Sequence, residues 1–217
     1  WLRARWEALR PQWEIIEGRA PADRWCKAEA VTNAARYATA DVWVICDADL
    51  WVESWPTLRD AAELARTHGW SVPCGNVYRL NPTATADIVA NDPDQPIDWP
   101  VQRHNLDTSL RNANPYRLFP GGGIFAVTPD AYDQAGGFDP RFVGWGGEDT
   151  SLGAALTTLV GPPARLEASV WHLWHPRSKQ AAKLGRPSGA NERLNRRYLH
   201  AEGDPEAMRQ LITEREN

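Results

Sequence analysis

Two carboxylates stand two residues apart at Asp47 and Asp49, directly after the apolar run at 42–46. That run predicts a buried strand, so the pair lies at the carboxyl end of the strand. Carboxylate oxygens in this position suit a divalent cation that bridges a diphosphate. The same Asp-x-Asp pattern also occurs where an aspartate simply caps the next helix, so the pair alone leaves both interpretations open.

Two histidines, His172 and His175, follow a second predicted strand at 165–171. Their i, i+3 spacing lets both imidazoles reach one cation, and nitrogen ligands suit Mn2+ better than Mg2+. The alternative is that the two rings only pack against their neighbours Trp171 and Trp174.

The segment Gly-Trp-Gly-Gly-Glu-Asp at 144–149 is the most informative motif. Its glycines permit a tight turn and a close backbone approach, and Trp145 offers a ring face for stacking. Glu148 and Asp149 open a predicted helix, whose positive N-terminal end favours ionised carboxylates, and such a carboxylate is a natural general base. A plain glycine turn before an acidic helix start explains the two acids but not the residues that precede them.

The elements that must position these residues alternate between strands and helices. Apolar periodicity and capping residues predict strands at 13–18, 42–46, 71–80, 124–127 and 165–171, and helices at 1–9, 25–38, 54–68, 129–135, 148–160 and from 204 onwards. The alternation predicts an α/β fold with a mostly parallel central sheet and a ligand site at the carboxyl ends of the strands. The stretch at 81–117 is predicted to be a long loop that shapes the acceptor site through Trp99, His104 and Tyr116.

Composition sets the broad class. The chain has 217 residues, 42% apolar and 24% charged, with a formal charge of -4. This length predicts one compact domain, and the slight acidity gives no overall attraction to nucleic acid or anionic membranes. No apolar run approaches the roughly 20 residues of a membrane span. The three cysteines favour a reducing cytoplasm over a disulfide framework, and high Ala, Arg, Trp and Pro usage is typical of a high-GC genome, actinobacterial or that of its phage.

Taken together, the Asp-Ala-Asp at 47–49, the Gly-Gly-Phe-Asp at 136–139, the 144–149 motif and the two histidines resemble a metal-dependent glycosyltransferase of the GT-A, Rossmann-like fold. The similarity is to the C-terminal region of the β-1,4-galactosyltransferases with their bacterial and phage relatives, and more loosely to polypeptide GalNAc-transferases. It extends over residues 25–175. It implies an inverting hexosyltransferase that uses a nucleotide-diphosphate sugar, most commonly linked to UDP, and an acceptor hydroxyl.

The resemblance implies a donor site at the acidic pair. Asp49, as the second acid of the family's DxD motif, would coordinate Mn2+ or Mg2+, and Asp47 would lie near the ribose. His172 would be the downstream metal ligand, with His175 as its rival. Lys27 would be a basic residue near the nucleotide.

The resemblance also implies roles beside the reacting sugars. Gly122 and Gly123 would lie beside the donor sugar, and Trp145 would stack on the donor or the acceptor sugar. Glu148 would hydrogen-bond a sugar hydroxyl, and Asp149 would deprotonate the acceptor hydroxyl. One base on the acceptor side, with a cation at the leaving group, predicts inversion at the anomeric carbon.

A single catalytic domain is predicted at 1–175, with its first strand expected upstream of Trp1. Residues 176–217 would form a basic lid segment and C-terminal helices packed on the same domain. The cations of the lid would meet donor phosphates. The alternatives are a DNA acceptor, as in phage enzymes that glycosylate modified bases, and a plain solvated surface.

Two other function classes could use the same residues. A metal-dependent nucleotidyltransferase or nucleotide-sugar hydrolase would need Asp47 and Asp49 but neither Trp145 nor Asp149. A non-catalytic glycan-binding module would use its tryptophans without a metal. The acceptor stays open among a glycan, a protein hydroxyl, a small glycoside and a modified nucleobase.

Overall fold

A five-stranded mixed sheet forms the centre of the computed structural model, which describes residues 1–9, 12–21, 24–52, 55–94, 106, 123–176 and 188–215. Its strands are β1 (Trp43–Cys46), β2 (Leu50–Val52), β3 (Trp70–Arg79), β4 (Ile124–Val127) and β5 (Ala164–His172). They lie in the order β1-β4-β3-β5-β2. β3 and β5 are parallel, whereas β4 is antiparallel to β1 and β3, and β2 is antiparallel to β5.

The predicted α/β class is confirmed, but the prediction of a mostly parallel sheet is wrong. Among the described strands, β3 and β5 are the single pair of parallel neighbours. Hydrophobic periodicity identifies which segments are strands and carries no information on the direction of each one. The short β4 inserts between β1 and β3 and runs opposite to both.

Helices flank the sheet on the described parts of the chain. They are α1 (Leu2–Leu9), α2 (Lys27–Ala35), α3 (Trp55–His68), α4 (Pro82–Val89), α5 (Pro129–Gln134), α6 (Glu148–Leu159), α7 (Gly189–Ala201) and α8 (Pro205–Thr213). α3 packs along β3, β4 and β5, while α6 contacts both α7 and α8. None of these helices is long and apolar enough to cross a lipid bilayer.

The core is centred on β3 and β4. All four residues of β4 are buried, as are the first six of β3. Trp70 is fully buried at the start of β3, and its indole N–H donates to the carbonyl of Gly161 at 2.8 Å, which satisfies the polar atom of this large apolar side chain. β1, predicted to be buried, is only half-buried because it is an edge strand.

The predicted strand at 13–18 does not form. Trp13 packs edge-on against Trp55 with ring centroids 4.4 Å apart. A Cβ on Gly18 would lie 2.2 Å from the carbonyl oxygen of Ala30, so this segment runs against the backbone of α2 instead of pairing with the sheet. Side-chain packing on helices therefore explains the apolar pattern that resembled a strand.

Three elements were not predicted from the sequence. β2 has only three residues, α4 occupies the start of the stretch expected to be a loop, and α7 lies within the segment expected to be a basic lid. The side chain of Asn81 accepts a hydrogen bond from the backbone of Ala84, and Pro82 follows it at the first turn. An Asn-Pro pair of this kind is a helix-start signal that can be recognised in the sequence. Trp99, His104 and Tyr116 lie outside the described residues.

A buried carboxylate ties the C-terminal helices to the loop before α6. Asp139 accepts hydrogen bonds from Arg141 Nη2 at 2.7 Å and from the Tyr198 hydroxyl at 2.8 Å, and Arg215 Nε lies 3.3 Å away. Burial opposes the ionisation of Asp139, but these partners hold its pKa below the ordinary value. The charged form of Asp139 is therefore an integral part of the fold.

We expect Asp139→Asn to lower the free energy of unfolding by about 3 kcal/mol at pH 7, because it leaves Arg141 and the buried Arg215 without their shared countercharge. The pKa of Asp139 is lower in the folded state than its unfolded value of 3.8. The ionised carboxylate therefore stabilises the folded protein above pH 3.8, and this stabilisation is lost as the pH falls below that value. The difference between variant and wild type, measured by urea denaturation, should therefore shrink towards pH 3. The matched control is Asp133→Asn in α5, an exposed site; equal effects at both sites would contradict the prediction.

Candidate active site

The turn at 47–49 carries the chain from β1 to β2, which lie at opposite ends of the strand order. The backbone N–H of Asp47 donates to the carbonyl of Gly123 at 2.7 Å, just before β4. The N–H of Leu173, just after β5, donates to the carbonyl of Asp49 at 2.8 Å. The acidic turn is therefore hydrogen-bonded both to the glycine motif before β4 and to the segment that carries the two histidines.

Gly123 allows the close approach of β4 to this turn. Its φ is +76°, and a Cβ there would lie 2.1 Å from Leu50 Cδ1 and 3.6 Å from Asp47 Oδ2. A larger residue would be strained by its backbone conformation and would push Leu50 away. Gly123 thus lies beside the acidic pair, and Gly122, predicted to lie there too, is outside the described residues.

A buried lysine joins the two acidic motifs. Lys27 Nζ lies 2.5 Å from Asp47 Oδ1 and 2.7 Å from Asp149 Oδ1, and only 7% of its side chain is exposed. The ammonium also lies 5.1 Å from the centre of the Phe138 ring, within the range of a cation–π contact. α2, the acidic turn and α6 are held together by this one cation.

The charges of the cluster perturb one another. Burial lowers the pKa of a lysine, yet the two adjacent carboxylates hold the pKa of Lys27 well above its usual value. For Asp149, burial and the charge of Asp47 raise the pKa, while Lys27 and a hydrogen bond from Gly123 oppose the rise; the net shift is upward. Asp149 is thereby a stronger proton acceptor than an ordinary aspartate.

Glu148, the first residue of α6, is the second perturbed acid. Burial, with a smaller contribution from the charge of Asp149, raises the pKa of Glu148 to about 7. Its Oε2 atom is buried and has no hydrogen-bond partner within the described part of the chain. A carboxyl oxygen of this kind is available to a ligand hydroxyl.

Asp49, His172 and His175 form a separate three-ligand cluster. His175 Nε2 lies 3.2 Å and His172 Nε2 3.8 Å from Asp49 Oδ2, and one potential ligand atom from each residue falls within 4.8 Å of the others. Asp49 Oδ1 is buried and has no partner among the residues described. The Asp49 carboxylate and the two imidazole nitrogens fit a divalent cation.

The two imidazoles are held in the orientation that a metal ligand needs. His172 Nδ1 lies 2.8 Å from the carbonyl of Leu173, and His175 Nδ1 lies 3.0 Å from that of Pro176. If each Nδ1 carries the proton and donates it to its carbonyl, each Nε2 presents a lone pair towards Asp49. The structure thus brings together both histidines, which the sequence had left as rivals.

The 144–147 loop presents Trp145 to solvent. Three of its residues, Gly144, Gly146 and Gly147, have φ values of +78°, +102° and +97°, which glycine adopts without strain. Gly147 is the N-cap residue that precedes α6, and Trp145 is 52% exposed. The predicted sugar-stacking ring is therefore available at the surface, three residues before Glu148.

One residue next to this loop was not found from the sequence. Asn191 in α7 is buried and donates from its amide to the carbonyl of Val143 at 3.2 Å. It is 42 residues further along the chain than Asp149, within the segment that the sequence predicts to be a basic lid. Most of that basic segment, including Arg177, Lys179 and Lys183, lies outside the described residues.

Comparison with known proteins identifies the motif region. Residues 104–170 match the family model described as the N-terminal domain of galactosyltransferase. The match includes Gly123, Trp145, Glu148 and Asp149 and covers less than half of the chain. The chain is galactosyltransferase-like. The resemblance inferred from the motifs is thereby confirmed.

Two further proteins are similar to this galactosyltransferase-like chain. A chondroitin synthase of Escherichia coli is 38% identical over 61 residues, which is 28% of this chain and 9% of that protein. The catalytic domain of Drosophila beta1,4galactosyltransferase 7, solved in complex with xylobiose, superimposes with a TM-score of 0.43 and 15% identity. That superposition covers 80% of this chain and 60% of the Drosophila domain. The chain thus corresponds to only part of either protein.

Glu148→Gln should stabilise the metal-free protein at pH 8. Because the pKa of Glu148 is raised from 4.5 to about 7, the folded state binds an extra proton between these values and the wild type loses stability as pH rises. We expect the variant to gain about 2 kcal/mol in free energy of unfolding at pH 8 and almost nothing at pH 4.

Urea denaturation between pH 4 and pH 8 measures this difference. Glu202→Gln, at an exposed position after α7, is the matched control and should leave the pH profile unchanged. A Glu148→Gln profile parallel to the wild type would contradict the burial argument.

Proposed function

We propose that this chain is a metal-dependent, inverting glycosyltransferase that transfers a hexose from a UDP-linked sugar to a hydroxyl of an acceptor glycan. The observation that carries the proposal is the juxtaposition of two clusters. One contains Asp49 and the two histidines, and the other contains Lys27, Asp47 and Asp149. The similarity to galactosyltransferases supports a sugar donor, and the similarity to a chondroitin synthase supports a glycan acceptor. Neither comparison supports DNA or a modified nucleobase.

The residues of the donor side would hold the metal and the nucleotide. Asp49, His172 and His175 would hold Mn2+ or Mg2+, which when bound would offset negative charge on the diphosphate leaving group. Asp47 would contact the ribose, next to Lys27. Lys27 would also reduce the repulsion that the donor phosphates meet, because its ammonium is paired with both carboxylates and offsets part of their negative charge.

The residues of the acceptor side would bind the sugar and move one proton. Trp145 would stack on a sugar ring, and Glu148 would hydrogen-bond a sugar hydroxyl through its unpartnered oxygen. Asp149 would take the proton from the acceptor hydroxyl as that oxygen attacks the anomeric carbon. Since one base acts from the side opposite the leaving group and no carboxylate forms a covalent intermediate, the product would have the inverted configuration.

The two predicted parts of the chain would act as one unit. Residues 188–215 pack against α6 and are anchored by Asp139. This packing supports a catalytic domain at 1–175 with the helices of 176–217 attached to it.

The donor proposal predicts a metal-dependent thermal shift. UDP-, GDP- and dTDP-sugars would each be added with and without Mn2+, and a sugar nucleotide at 100 times its Kd should stabilise the protein by about 2.7 kcal/mol. We expect one nucleotide class to raise the Tm only with Mn2+, and Asp49→Ala to abolish the shift. His200→Ala, an exposed histidine at the end of α7, is the control and should keep it. Glycan binding without metal, and no shift with any nucleotide, would favour a binding module instead.

The acceptor proposal predicts that Asp149→Asn abolishes transfer and retains donor binding. Loss of the base should reduce kcat by about 100-fold or more. UDP-galactose and a chondroitin oligosaccharide are the first donor and acceptor to test, and proton NMR of the product reports its anomeric configuration. Asp133→Asn makes the same change at an exposed site and should be active. Retained configuration, or sugar phosphate release that is unaffected by Asp149→Asn, would overturn the mechanism.

A further inference from the structure

The first turn of α7 lies directly against the loop that carries Trp145. Asn191 is 2% exposed, and its amide nitrogen lies 3.2 Å from the Val143 carbonyl and 3.5 Å from the Trp145 carbonyl. A Cβ on Gly147 would lie 3.1 Å from Asn195 Cβ and 3.4 Å from the Asn191 carbonyl. The loop is thus in van der Waals contact with α7 as well as hydrogen-bonded to it.

The loop needs such an external contact because its own sequence does not fix its shape. Three glycines in four positions leave many backbone conformations open in the absence of packing, and ordering them costs conformational entropy. The Trp145 ring is half-exposed and so contributes little to its own placement. On the other side of the loop, the N–H of Gly144 donates to the carbonyl of Trp25 at 2.8 Å.

Asn191 has the chemistry and the rigidity that this contact requires. Its amide carries two N–H donors, which match two carbonyl acceptors. The helix start is fixed, because the Ser188 hydroxyl accepts the backbone N–H of Asn191 at 3.1 Å. One turn later, Asn195 pairs with Ser151 of α6 at 3.1 Å. The amide is therefore held at the loop by contacts on both sides along α7.

We infer that Asn191 is a positioning residue for glycan binding, clamping the 143–147 loop so that the Trp145 ring faces a sugar next to Glu148. The inference rests on the proposed function and adds a residue from a different helix to the sugar site. Asn191 itself would touch no substrate and would act only through the loop.

The kinetic test compares Asn191→Ala with Trp145→Ala and with the double variant. We expect Asn191→Ala to raise the acceptor KM about tenfold, as for the loss of one buried hydrogen-bonding group, with a smaller change in kcat. The affinity for Mn2+ and UDP should be unchanged. The double variant should have the same acceptor KM as Trp145→Ala alone, because Asn191 acts only through the contact between the Trp145 ring and the sugar, which Trp145→Ala already removes. Additive effects would overturn the inference.

Asn195→Ala is the matched control for stability. It removes a half-buried amide from the same helix, keeps the Cβ atom next to Gly147, and loses the hydrogen bond to α6 instead of the one to the loop. It should lower the Tm about as much as Asn191→Ala and leave the acceptor KM unchanged. A raised acceptor KM in both variants would indicate a general loss of structure and would contradict a specific clamp.

Hydrogen exchange separates this inference from the proposed function. Asn191→Ala should accelerate amide exchange across 143–147 at least tenfold and leave β5 unchanged, whether or not the protein transfers sugar. If the wild-type protein transfers sugar but exchange in the loop is the same in Asn191→Ala, the clamp is refuted and the proposed function is not. Accelerated exchange in Asn191→Ala, together with a wild-type protein that neither binds a sugar nucleotide nor transfers sugar, would support the clamp and refute the proposed function.

Discussion

The site depends on the burial of one ammonium group between two carboxylates. Lys27 begins α2, where the helix dipole disfavours a cation, and its side chain is almost wholly inaccessible to water. Both costs are offset only if Asp47 and Asp149 reach it together. The helix start of α2, the turn after β1 and the start of α6 must therefore meet at one point.

This ion cluster divides the acidic residues into two kinds. Each acidic motif gives one carboxylate to Lys27 and keeps one for another purpose. From the Asp-Ala-Asp turn, Asp49 faces two histidines and retains an orphaned oxygen; from the start of α6, Glu148 keeps an unpartnered oxygen and a pKa of about 7. The ion cluster fixes the geometry, and the remaining carboxylates are those assigned to a cation and a sugar hydroxyl in the proposed function.

Close backbone contacts complete the arrangement. Gly123 lets β4 approach the acidic turn, and the glycines of the 144–147 loop let α7 approach the start of α6. Asp139 anchors the same C-terminal helices through Tyr198 and Arg215. The C-terminal helices, which follow the histidines by more than a dozen positions, thus support a site that is built mainly from earlier segments. Their packing on the α/β unit is part of what holds the site together.

The sequence by itself determined most of the element types and the chemical types of the candidate site residues. Caps such as Thr128 and Asp204, and the apolar runs of β1, β4 and β5, encode local structure through nearest-neighbour contacts. The acidic pairs, histidines and glycines identified the candidate site residues because their chemical types and spacing are local properties too.

Only the tertiary structure decided the direction of the strands, the fate of the segment at 13–18, and the partners of Lys27 and Asn191. Each of these depends on contacts between residues far apart in sequence: Lys27 meets Asp149 across 122 positions and Asn191 meets Val143 across 48. Whether an alternating apolar run pairs with a sheet or packs on a helix, and whether a polar residue in a basic segment is solvated or buried, is settled by the global competition for packing and hydrogen bonds. No local pattern contains that information.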